Sequence, residues 1–298
     1  MKRFYIFVLA LVALVACDNR SAVEKILDYQ ADPKSDEVLI IAHRGDWRSA
    51  PENSLHAFKA CIDAGYDMVE VDVRKTSDGV LVVMHDETVN RTTEGVGKVS
   101  EMTAEQITSL RLRNACGRVT DYGECVPTFE QVLLLCKDKA VIHLDKGYEL
   151  FREVYALTEK HGMTNQVMFK TSNHPSRFKQ EYPDLIGKVP YVPVLGVGGK
   201  NSSAVIKECL ELNPLAIECV IGRETPELEE NLQLIKDAGV KICIGSMWDS
   251  ACAGHDDDRA VKDADAAWGW IVDNGATQIM TDRPQELLIY LQARGLHR

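Results

Sequence analysis

Three short apolar segments in the first third of the chain lead into imidazole or charged side chains. Residues 39–42 are followed by His43, residues 81–84 are followed by His85, and the valine-rich segment 68–73 lies between them. Short β-branched runs of this kind are typical of buried parallel strands. A closed β/α barrel carries its reactive groups at the carboxyl ends of such strands. The pattern therefore predicts a barrel with its active site at that end.

The middle segment carries two carboxylates on one face of its predicted strand. Glu70 and Asp72 are two positions apart, so their side chains leave the same face about 7 Å apart along the strand. Two carboxylates that face one site repel each other unless a positive charge lies between them. A hard divalent cation with oxygen ligands, either Ca²⁺ or Mg²⁺, would satisfy both groups.

The two histidines and the neighbouring arginine indicate acid-base chemistry on a phosphate. Imidazole titrates near neutrality, so His43 and His85 suit a general acid and a general base. Arg44 offers a planar fork of donors that matches a phosphate. Each residue also has a structural interpretation, because strand-end histidines often pack, acidic pairs can be solvated, and Arg44 can pair with Glu52. Taken singly, the residues leave both interpretations open.

Four motifs, in this order and at these gaps, resemble the signature of the glycerophosphodiester phosphodiesterase family. They are His43-Arg44-Gly45, Pro51-Glu52-Asn53, Glu70-Val71-Asp72 and His85-Asp86. The resemblance implies a TIM (β/α)₈ barrel with a small insertion after the second strand. It also implies an enzyme that uses a divalent metal and two histidines to hydrolyse glycerophosphodiesters to glycerol 3-phosphate and an alcohol. Glu52 then supports the site from behind Arg44.

The chain departs from the family pattern at two places in the expected site. The family usually has Glu-x-Lys on its third strand, whereas here Asp145 is followed directly by Lys146. We expect Asp145 to be the third metal ligand and Lys146 to contact the phosphate, although adjacent residues leave opposite faces of a regular strand. The family's aromatic residue after strand seven corresponds to Trp248, which we expect in the substrate pocket. Lys170 and Glu218, at two other strand ends, suit either the site or a charged layer in the barrel.

The remainder of the chain alternates between strand and helix patterns. Counted from residue 38, the alternation gives eight βα units, the number in a closed barrel, so we assign residues 38–298 to the phosphodiesterase domain. Residues 87–126 interrupt the rhythm and resemble the small insertion of the family. The segment Thr281-Asp282-Arg283-Pro284 resembles the family's last strand, so the likeness spans nearly the whole domain.

The amino terminus has the pattern of a secretory signal. Residues 1–17 contain a basic start and an apolar run that is shorter than the roughly 20 residues needed to span a bilayer. Their end, Leu14-Val15-Ala16-Cys17, resembles a bacterial lipobox, in which the cysteine is lipidated. We expect a lipoprotein signal over 1–17, a polar tether over 18–37, and an exported enzyme anchored to a membrane in the periplasm or at the cell surface. A plain signal peptide is the alternative.

Charge and cysteine content limit the partners. A net charge of −11 without a basic patch excludes nucleic acid. We expect a small-molecule phosphodiester as substrate and a membrane reached through the lipid anchor, while the sequence does not determine the oligomeric state. Most of the nine cysteines fall in apolar patterns. Only Cys116 and Cys125 flank a loop that suits a disulfide, and the sequence leaves that bridge undecided.

Two other functions remain open from the sequence. A related barrel phosphodiesterase acting on an intact lipid or an inositol phosphodiester would explain the altered segments around Asp145 and Trp248. A non-catalytic surface lipoprotein that binds a phosphorylated ligand is the second. Binding alone needs no acid-base pair, so the presence of both His43 and His85 argues against it.

Overall fold

A computed structural model describes residues 20–120 and 123–298 of the chain. The predicted signal peptide, residues 1–17 with its lipidation site Cys17, lies outside the described residues. Eight parallel strands close into a barrel that is surrounded by helices. The predicted TIM (β/α)₈ barrel is therefore confirmed.

The barrel strands follow one another in chain order, and each is hydrogen-bonded in parallel to the next. The first and last strands pair as well, Leu39 with Gln278 and Ala42 with Thr281, which closes the barrel. One further strand, β3, runs antiparallel to β2 and forms a hairpin with it. The strands are β1 Leu39–Ala42, β2 Met68–Lys75, β3 Leu81–Val83, β4 Val141–Asp145, β5 Val167–Thr171, β6 Tyr191–Gly196, β7 Ala216–Val220, β8 Lys241–Gly245 and β9 Gln278–Thr281.

Alternation along the strands separates two layers of core. On β4, Ile142 and Leu144 pack outward among the helices, whereas Val141 belongs to a smaller cluster inside the barrel. His143 and Asp145 continue the inward face toward the carboxyl end of the strand. The barrel interior therefore changes from apolar at its amino-terminal end to polar at its mouth. Its apolar inner residues are Leu39, Ile41, Met68, Val141, Met168, Val192, Ala216, Cys243 and Met280.

Side-chain caps define where many of the helices begin. Ser54 accepts a hydrogen bond from Ala57 N, and Thr128 forms a reciprocal capping box with Gln131. The helices are α1 Ala22–Ala31, α2 Leu55–Ala64, α3 Ala104–Thr108, α4 Phe129–Cys136, α5 Phe151–Lys160, α6 Pro175–Glu181, α7 Ser202–Leu210, α8 Pro226–Asp237, α9 Asp257–Ala260, α10 Trp270–Asp273 and α11 Pro284–Ala293.

One predicted helix is broken. The pattern over residues 259–273 predicts a single helix, but the chain forms α9, a π-helical turn at Asp265–Gly269, and α10. Asp263 Oδ1 accepts a hydrogen bond from Ala266 N at 3.0 Å and so caps a new start inside the segment. The apolar periodicity of the sequence does not show that a cap at Asp263 competes with continuation of the helix.

Helix α1 closes the amino-terminal end of the barrel. Val23 and Ile26 are buried against the inner core, and Ser21 forms a capping box with Glu24. Lys241 Nζ also donates to the main-chain oxygen of the residue that follows the helix, at 2.6 Å. The predicted polar tether over 18–37 is therefore wrong for residues 22–31, because their apolar positions recur at helical spacing and find a buried surface.

Residues 87–126 form a small lobe with a core of its own. Seven buried side chains build this core, and two of them, Val82 on β3 and Met84 directly after it, come from the segment that leads into the lobe. Helix α3 begins at a capping box between Thr103 and Gln106. Isolated bridges, such as Thr88 with Lys98, hold the loops together. The lobe lies beside the barrel mouth and supplies part of its wall.

Two features are relevant to the predicted export of the protein, namely membrane-spanning helices and the disulfide between Cys116 and Cys125. Within residues 20–120 and 123–298, no helix combines the length and apolarity needed to cross a bilayer. Cys116 and Cys125 are both free thiols, so the structure does not contain the disulfide that their loop would suit. Cys125 Sγ instead lies 3.4 Å from the carbonyl oxygen of Gly123.

Candidate active site

Three carboxylates meet at the carboxyl ends of β2 and β4. The parallel register places Asp72 directly beside Asp145, and Glu70 lies one inward position deeper. One oxygen from each of these three side chains lies within 4.8 Å of the others. Glu70 and Asp72 are buried, whereas Asp145 is partly open to the barrel mouth. The barrel therefore brings together all three predicted metal ligands.

Three non-glycine residues with left-handed backbone each fix one of these carboxylates. Such conformations are uncommon outside glycine and collect at functional sites. Their φ angles lie between 55° and 58°. The contacts are Arg44 N to Glu70 Oε2 at 2.8 Å, Asn53 Nδ2 to Asp72 Oδ2 at 2.8 Å, and Lys146 N to Asp145 Oδ1 at 2.6 Å.

Lys170 faces the carboxylates from β5. Its Nζ lies 3.2 Å from Asp145 Oδ2 and 3.0 Å from Glu218 Oε2. Burial disfavours the charged lysine, but Glu218 and Asp145 outweigh it and raise the pKa of Lys170 well above its ordinary value. Burial likewise opposes ionisation of Asp145, yet Lys170 and Lys146 hold its pKa below the usual range. Lys170 and Glu218 thus pair inside the barrel and also line the site.

Glu70 is the least compensated carboxylate of the cluster. Burial and then repulsion from Asp72 and Asp145 raise the pKa of Glu70 well above its ordinary value, and Lys170 and Arg44 only partly oppose this. A site of this kind gains from an additional positive charge. Its three ligands all offer hard oxygen atoms, which suit Ca²⁺ or Mg²⁺ better than a thiophilic metal. The residues present therefore fit a divalent cation.

His43 is oriented by a carboxylate on the turn after β9. Its Nδ1 lies 2.8 Å from Asp282 Oδ1, and Trp47 Nε1 donates to the same oxygen at 2.6 Å. Burial would raise the pKa of Asp282, but the bonds from His43 and Trp47 hold it below its usual value. A carboxylate at Nδ1 places the ring proton there and leaves Nε2 of His43 free for the cavity.

A second buried carboxylate, Asp257, fixes the turn that carries Asp282. Asp257 Oδ2 accepts from the main-chain N–H of Asp282 at 2.8 Å, and Thr281 Oγ1 donates to both of its oxygens. Ser246 Oγ and Trp268 Nε1 donate to Asp257 Oδ1 at 2.6 and 3.0 Å. Burial raises the pKa of Asp257 in spite of these bonds. The network locks the end of β9 behind His43.

His85 is oriented in the same way, but by charged partners. Its Nδ1 lies 2.7 Å from Asp86 Oδ1, and Arg91 Nε donates to Asp86 Oδ2 at 2.8 Å. The two terminal nitrogens of Arg91 donate to Glu52 at 2.6 and 2.8 Å. The Arg91 guanidinium holds the pKa of Asp86 well below its usual range. Arg91 of the inserted lobe therefore connects the motif that contains Glu52 with the motif that contains His85 and Asp86.

Arg44 pairs with a carboxylate and also faces the barrel mouth. One terminal nitrogen lies 3.1 Å from Glu52 Oε1, as the structural interpretation required, and Nε lies 3.6 Å from Asp72 Oδ2. Arg44 also lines the cavities at the barrel mouth. Glu52 binds Arg44 and Arg91 together, which holds its pKa below the ordinary value although burial opposes this. Glu52 thus lies behind Arg44 and holds the two arginines together.

Two cavities meet at the mouth and share His43, Arg44 and Trp248. The deeper cavity, about 350 Å³, enters the barrel, and the outer cavity, about 420 Å³, lies against the inserted lobe. Trp248 is half exposed, and its ring stands edge-on to His43 at 5.5 Å between centroids. The structure brings together every predicted site residue that it describes: His43, Arg44, Glu52, Glu70, Asp72, His85, Asp145, Lys146 and Trp248.

Known proteins match this chain over most of its length. Residues 43–181 match the model of the Glycerophosphoryl diester phosphodiesterase family, and residues 191–291 match a model described as a domain of unknown function. A glycerophosphodiester phosphodiesterase of Caldanaerobacter subterraneus is 31% identical over 268 residues, which cover 87% of this chain and 100% of that relative. The chain belongs to the glycerophosphodiester phosphodiesterase family. It is therefore an enzyme, and the non-catalytic alternative is set aside.

Solved structures of the family share the fold. A glycerophosphoryl diester phosphodiesterase from Parabacteroides distasonis superposes with a TM-score of 0.72 at 25% identity, covering 91% of this chain and 92% of its own. An Oleispira antarctica phosphodiesterase, solved in complex with the product sn-glycerol-3-phosphate, superposes with a TM-score of 0.62 at 19% identity, covering 85% and 96%. Members of the family generally depend on a divalent metal, in keeping with the carboxylate cluster.

The sequence interpretation missed the residues that orient the predicted ones. Asp86 is adjacent to His85, so its position alone was a usable signal. Asp282 ends the last strand of the family pattern, where a polar residue faces the barrel mouth. Asn53 belongs to the second motif, although its contact with Asp72 was not predicted, and Arg91 lies in a lobe with no regular pattern. The sequence contains no signal that Arg91 would reach back to the first two motifs.

Proposed function

We propose that this enzyme hydrolyses glycerophosphodiesters, the deacylated phospholipids, to glycerol 3-phosphate and an alcohol, with His43 and His85 as its acid-base pair. One observation carries the proposal: both rings line the deeper cavity beside Arg44 and Asp145, and each has Nδ1 on a carboxylate. The Oleispira antarctica neighbour bound to sn-glycerol-3-phosphate supports the same product.

The histidines move the protons of the reaction. The Nδ1–H of each ring donates to Asp282 or Asp86, so Nε2 is the atom that exchanges a proton with the substrate. One ring accepts the proton of the attacking hydroxyl as its oxygen bonds to phosphorus. The other ring donates a proton to the alcohol oxygen as the second phosphorus–oxygen bond breaks. Water and the neighbouring glycerol hydroxyl both suit the attack, and the latter gives a cyclic phosphate first.

Arg44 and Lys146 position the phosphate. Arg44 is already oriented by Glu52, so its remaining donors meet a phosphate at the junction of the two cavities. Lys146 follows Asp145 in a left-handed turn, which places it along the deeper cavity despite its adjacency to a metal ligand. Trp248 borders both cavities and shapes the space for the substituents of the diester. These residues bind and orient the diester between the two imidazoles.

Glu70, Asp72 and Asp145 are the residues that would hold a divalent cation, Ca²⁺ or Mg²⁺. When bound, the cation neutralises charge that develops on the phosphoryl oxygens. We expect exhaustive chelation to lower kcat at least about 10²-fold and Ca²⁺ or Mg²⁺ to restore it. Asp72→Asn should weaken cation affinity in calorimetric titration, whereas Asp63→Asn on the exposed face of α2 should not. Full activity after chelation would remove the cation from the proposal.

A substrate screen tests the proposed reaction directly. Purified protein is incubated with glycerophosphocholine, glycerophosphoinositol and intact phospholipids, with and without Ca²⁺ or Mg²⁺, and products are identified by mass spectrometry. We expect release of glycerol 3-phosphate from at least one deacylated diester in the presence of cation. A preparation that cleaves none of them, while its circular dichroism shows a folded barrel, would refute the proposal.

One observation favours a second substrate class. Much of the deeper cavity, including Val194, Met247 and Met280, falls in the part of the chain that matches a domain of unknown function. These apolar side chains suit a larger or less polar substituent than glycerol. The alternative is a barrel phosphodiesterase for an intact lipid or an inositol phosphodiester, and the same screen distinguishes it.

We also propose an exported, lipid-anchored enzyme. The lipobox ending at Cys17 lies just before α1, which covers the barrel end opposite the site. An anchor there would leave the mouth facing the aqueous phase, where deacylated head groups are dissolved. Bacterial lipoproteins carry two or three acyl chains, enough for stable anchoring. Cys17→Ser should move the protein from the membrane to the soluble fraction without changing its kinetics. A wild-type protein found in the soluble fraction would contradict this.

A further inference from the structure

Four polar side chains form a layer inside the barrel, below the carboxylate cluster. His143 lies two residues before Asp145 on β4, Glu218 is on β7, and Cys243 on β8 pairs in register with Gln278 on β9. A ring nitrogen of His143, an oxygen of Glu218 and the sulfur of Cys243 all lie within 4.8 Å of one another. Since widely separated strands contribute them, these atoms meet in the barrel interior.

Two members of this layer have no hydrogen-bond partner among the described residues. Both ring nitrogens of His143 and both amide atoms of Gln278 are unpaired. Neither residue has any solvent-exposed surface. Buried polar groups of folded proteins nearly always have a partner, so each exception needs an explanation. Here the exceptions lie in one layer, and His143 shares it with two further metal-binding side chains.

The donor set of this layer differs from that of the cluster above it. Imidazole, thiolate and carboxylate are the ligands of zinc, whereas the upper cluster offers only carboxylate oxygens. Both ring nitrogens of His143 lack a hydrogen-bond partner among the described residues, so a ring nitrogen is available as a ligand. Glu218 uses Oε2 for Lys170 at 3.0 Å and leaves its other oxygen available.

We infer that His143, Glu218 and Cys243 hold a second divalent cation of the zinc class inside the barrel. On binding, a metal–sulfur bond forms and the thiol proton of Cys243 is released to solvent, with no change of oxidation state. Gln278 carries an unpaired amide oxygen in the same layer and is the candidate for the fourth tetrahedral position. The cation fixes Glu218, and through it Lys170. The inference does not depend on the substrate of the enzyme.

The two cation sites should exchange at different rates. Asp72 and Asp145 line the deeper cavity, so a chelator has access to the upper cluster. Glu218 borders the deeper cavity, but His143 and Cys243 are fully buried and line neither of the two cavities at the mouth. A cation in the lower layer should therefore be retained by the folded protein and released only when the barrel unfolds.

This difference gives a direct test. The full chain is purified from zinc-supplemented cells, treated with EDTA and desalted, and its metal content is measured before and after denaturation. We expect about one zinc ion per chain to survive EDTA and to be released by denaturant. Cys243→Ala should lower the retained zinc at least about tenfold. The matched control Cys219→Ala, which removes a buried thiol of the outer core, should retain it.

A second measurement keeps the inference testable if Cys243→Ala fails to fold. Wild-type protein produced in cobalt-supplemented medium should show a thiolate-to-cobalt charge-transfer band after EDTA treatment, and Glu70→Gln should keep it. The inference is overturned if wild-type protein retains no zinc, or if Cys243→Ala retains as much as wild type. It is also overturned if the wild-type protein shows no such band after EDTA treatment, or if Glu70→Gln loses it, because binding would then require the upper cluster.

Discussion

The two histidines that we propose as the acid-base pair each bind a carboxylate through Nδ1, but the surroundings of those carboxylates differ. His43 binds Asp282, whose carboxylate also accepts from the indole of Trp47 and whose main-chain N–H donates to Asp257. His85 binds Asp86, whose other partner is the guanidinium of Arg91. The His43 and Asp282 side chains are 10% and 18% exposed, against 29% and 27% for His85 and Asp86. The first ring is fixed by a buried network, the second by accessible ion pairs.

This difference predicts how the surroundings of His43 and of His85 respond to substitution. Buried hydrogen bonds cannot be replaced by water when one partner is lost, so the remaining groups stay unpaired. Ion pairs near the surface are weakened by salt, and water or another ion can take the place of a lost partner. The His43 side should therefore be rigid and intolerant of substitution, and the His85 side adjustable.

The largest expected effect comes from the histidines themselves. His43→Ala and His85→Ala should each lower kcat by about 10²-fold or more with saturating cation, because each removes a proton-transfer group. His174→Ala, which removes a surface helix cap, should leave kcat within about twofold. Steady-state kinetics with a thermal melt of each variant gives the comparison. Near wild-type rates in both histidine variants would disprove the acid-base assignment.

The next effect should separate the two carboxylates. Asp282→Asn and Asp86→Asn both keep the side-chain shape while removing the charge that fixes the Nδ1 proton. We expect a loss of kcat of about 10- to 10²-fold for Asp282→Asn and a smaller loss for Asp86→Asn, because water reaches the more exposed pair. The pH profiles of kcat for both variants and wild type measure this. Equal losses of kcat in the two variants would show that the greater burial of Asp282 does not make it more important than Asp86.

The smallest expected effect is that of Arg91, which acts only through Asp86 and Glu52. Arg91→Ala should lower kcat/KM about tenfold, corresponding to about 1.4 kcal/mol, in line with the loss of charge-assisted hydrogen bonds. Because Arg91 is half exposed, millimolar guanidinium should restore part of the activity. Arg152→Ala, which breaks a surface pair with Asp184, serves as the control. Guanidinium should not restore activity to Asp282→Asn. Rescue of Asp282→Asn but not of Arg91→Ala would contradict the view that the His85 contacts are the more accessible ones.

Much of the fold was predictable because its signals are local. The period of two in β2 and β4, Ser54 before α2 and the capping residue Thr103 before α3 each act within a few residues. The wrong predictions concern segments whose structure depends on contacts that their local sequence pattern does not show. Residues 22–31 were predicted to be part of a polar tether. They form a helix instead, because Val23 and Ile26 pack against the end of the barrel. The predicted helix over 259–273 broke where Asp263 caps a new start by accepting a hydrogen bond from Ala266 N.

The sequence alone determined which groups lie at the mouth, since residue type, strand period and the family's motif order place His43, His85, Glu70 and Asp72 there. Only the tertiary structure decided what orients them. Asp282 reaches His43 across 239 residues of chain, and Arg91 reaches Glu52 across 39, through contacts that no local pattern encodes. Closure of the barrel also buried His143 beside Cys243. The physical reason is that strand and cap preferences act over a few residues, whereas these contacts depend on how distant strands and the inserted lobe come together in the closed barrel.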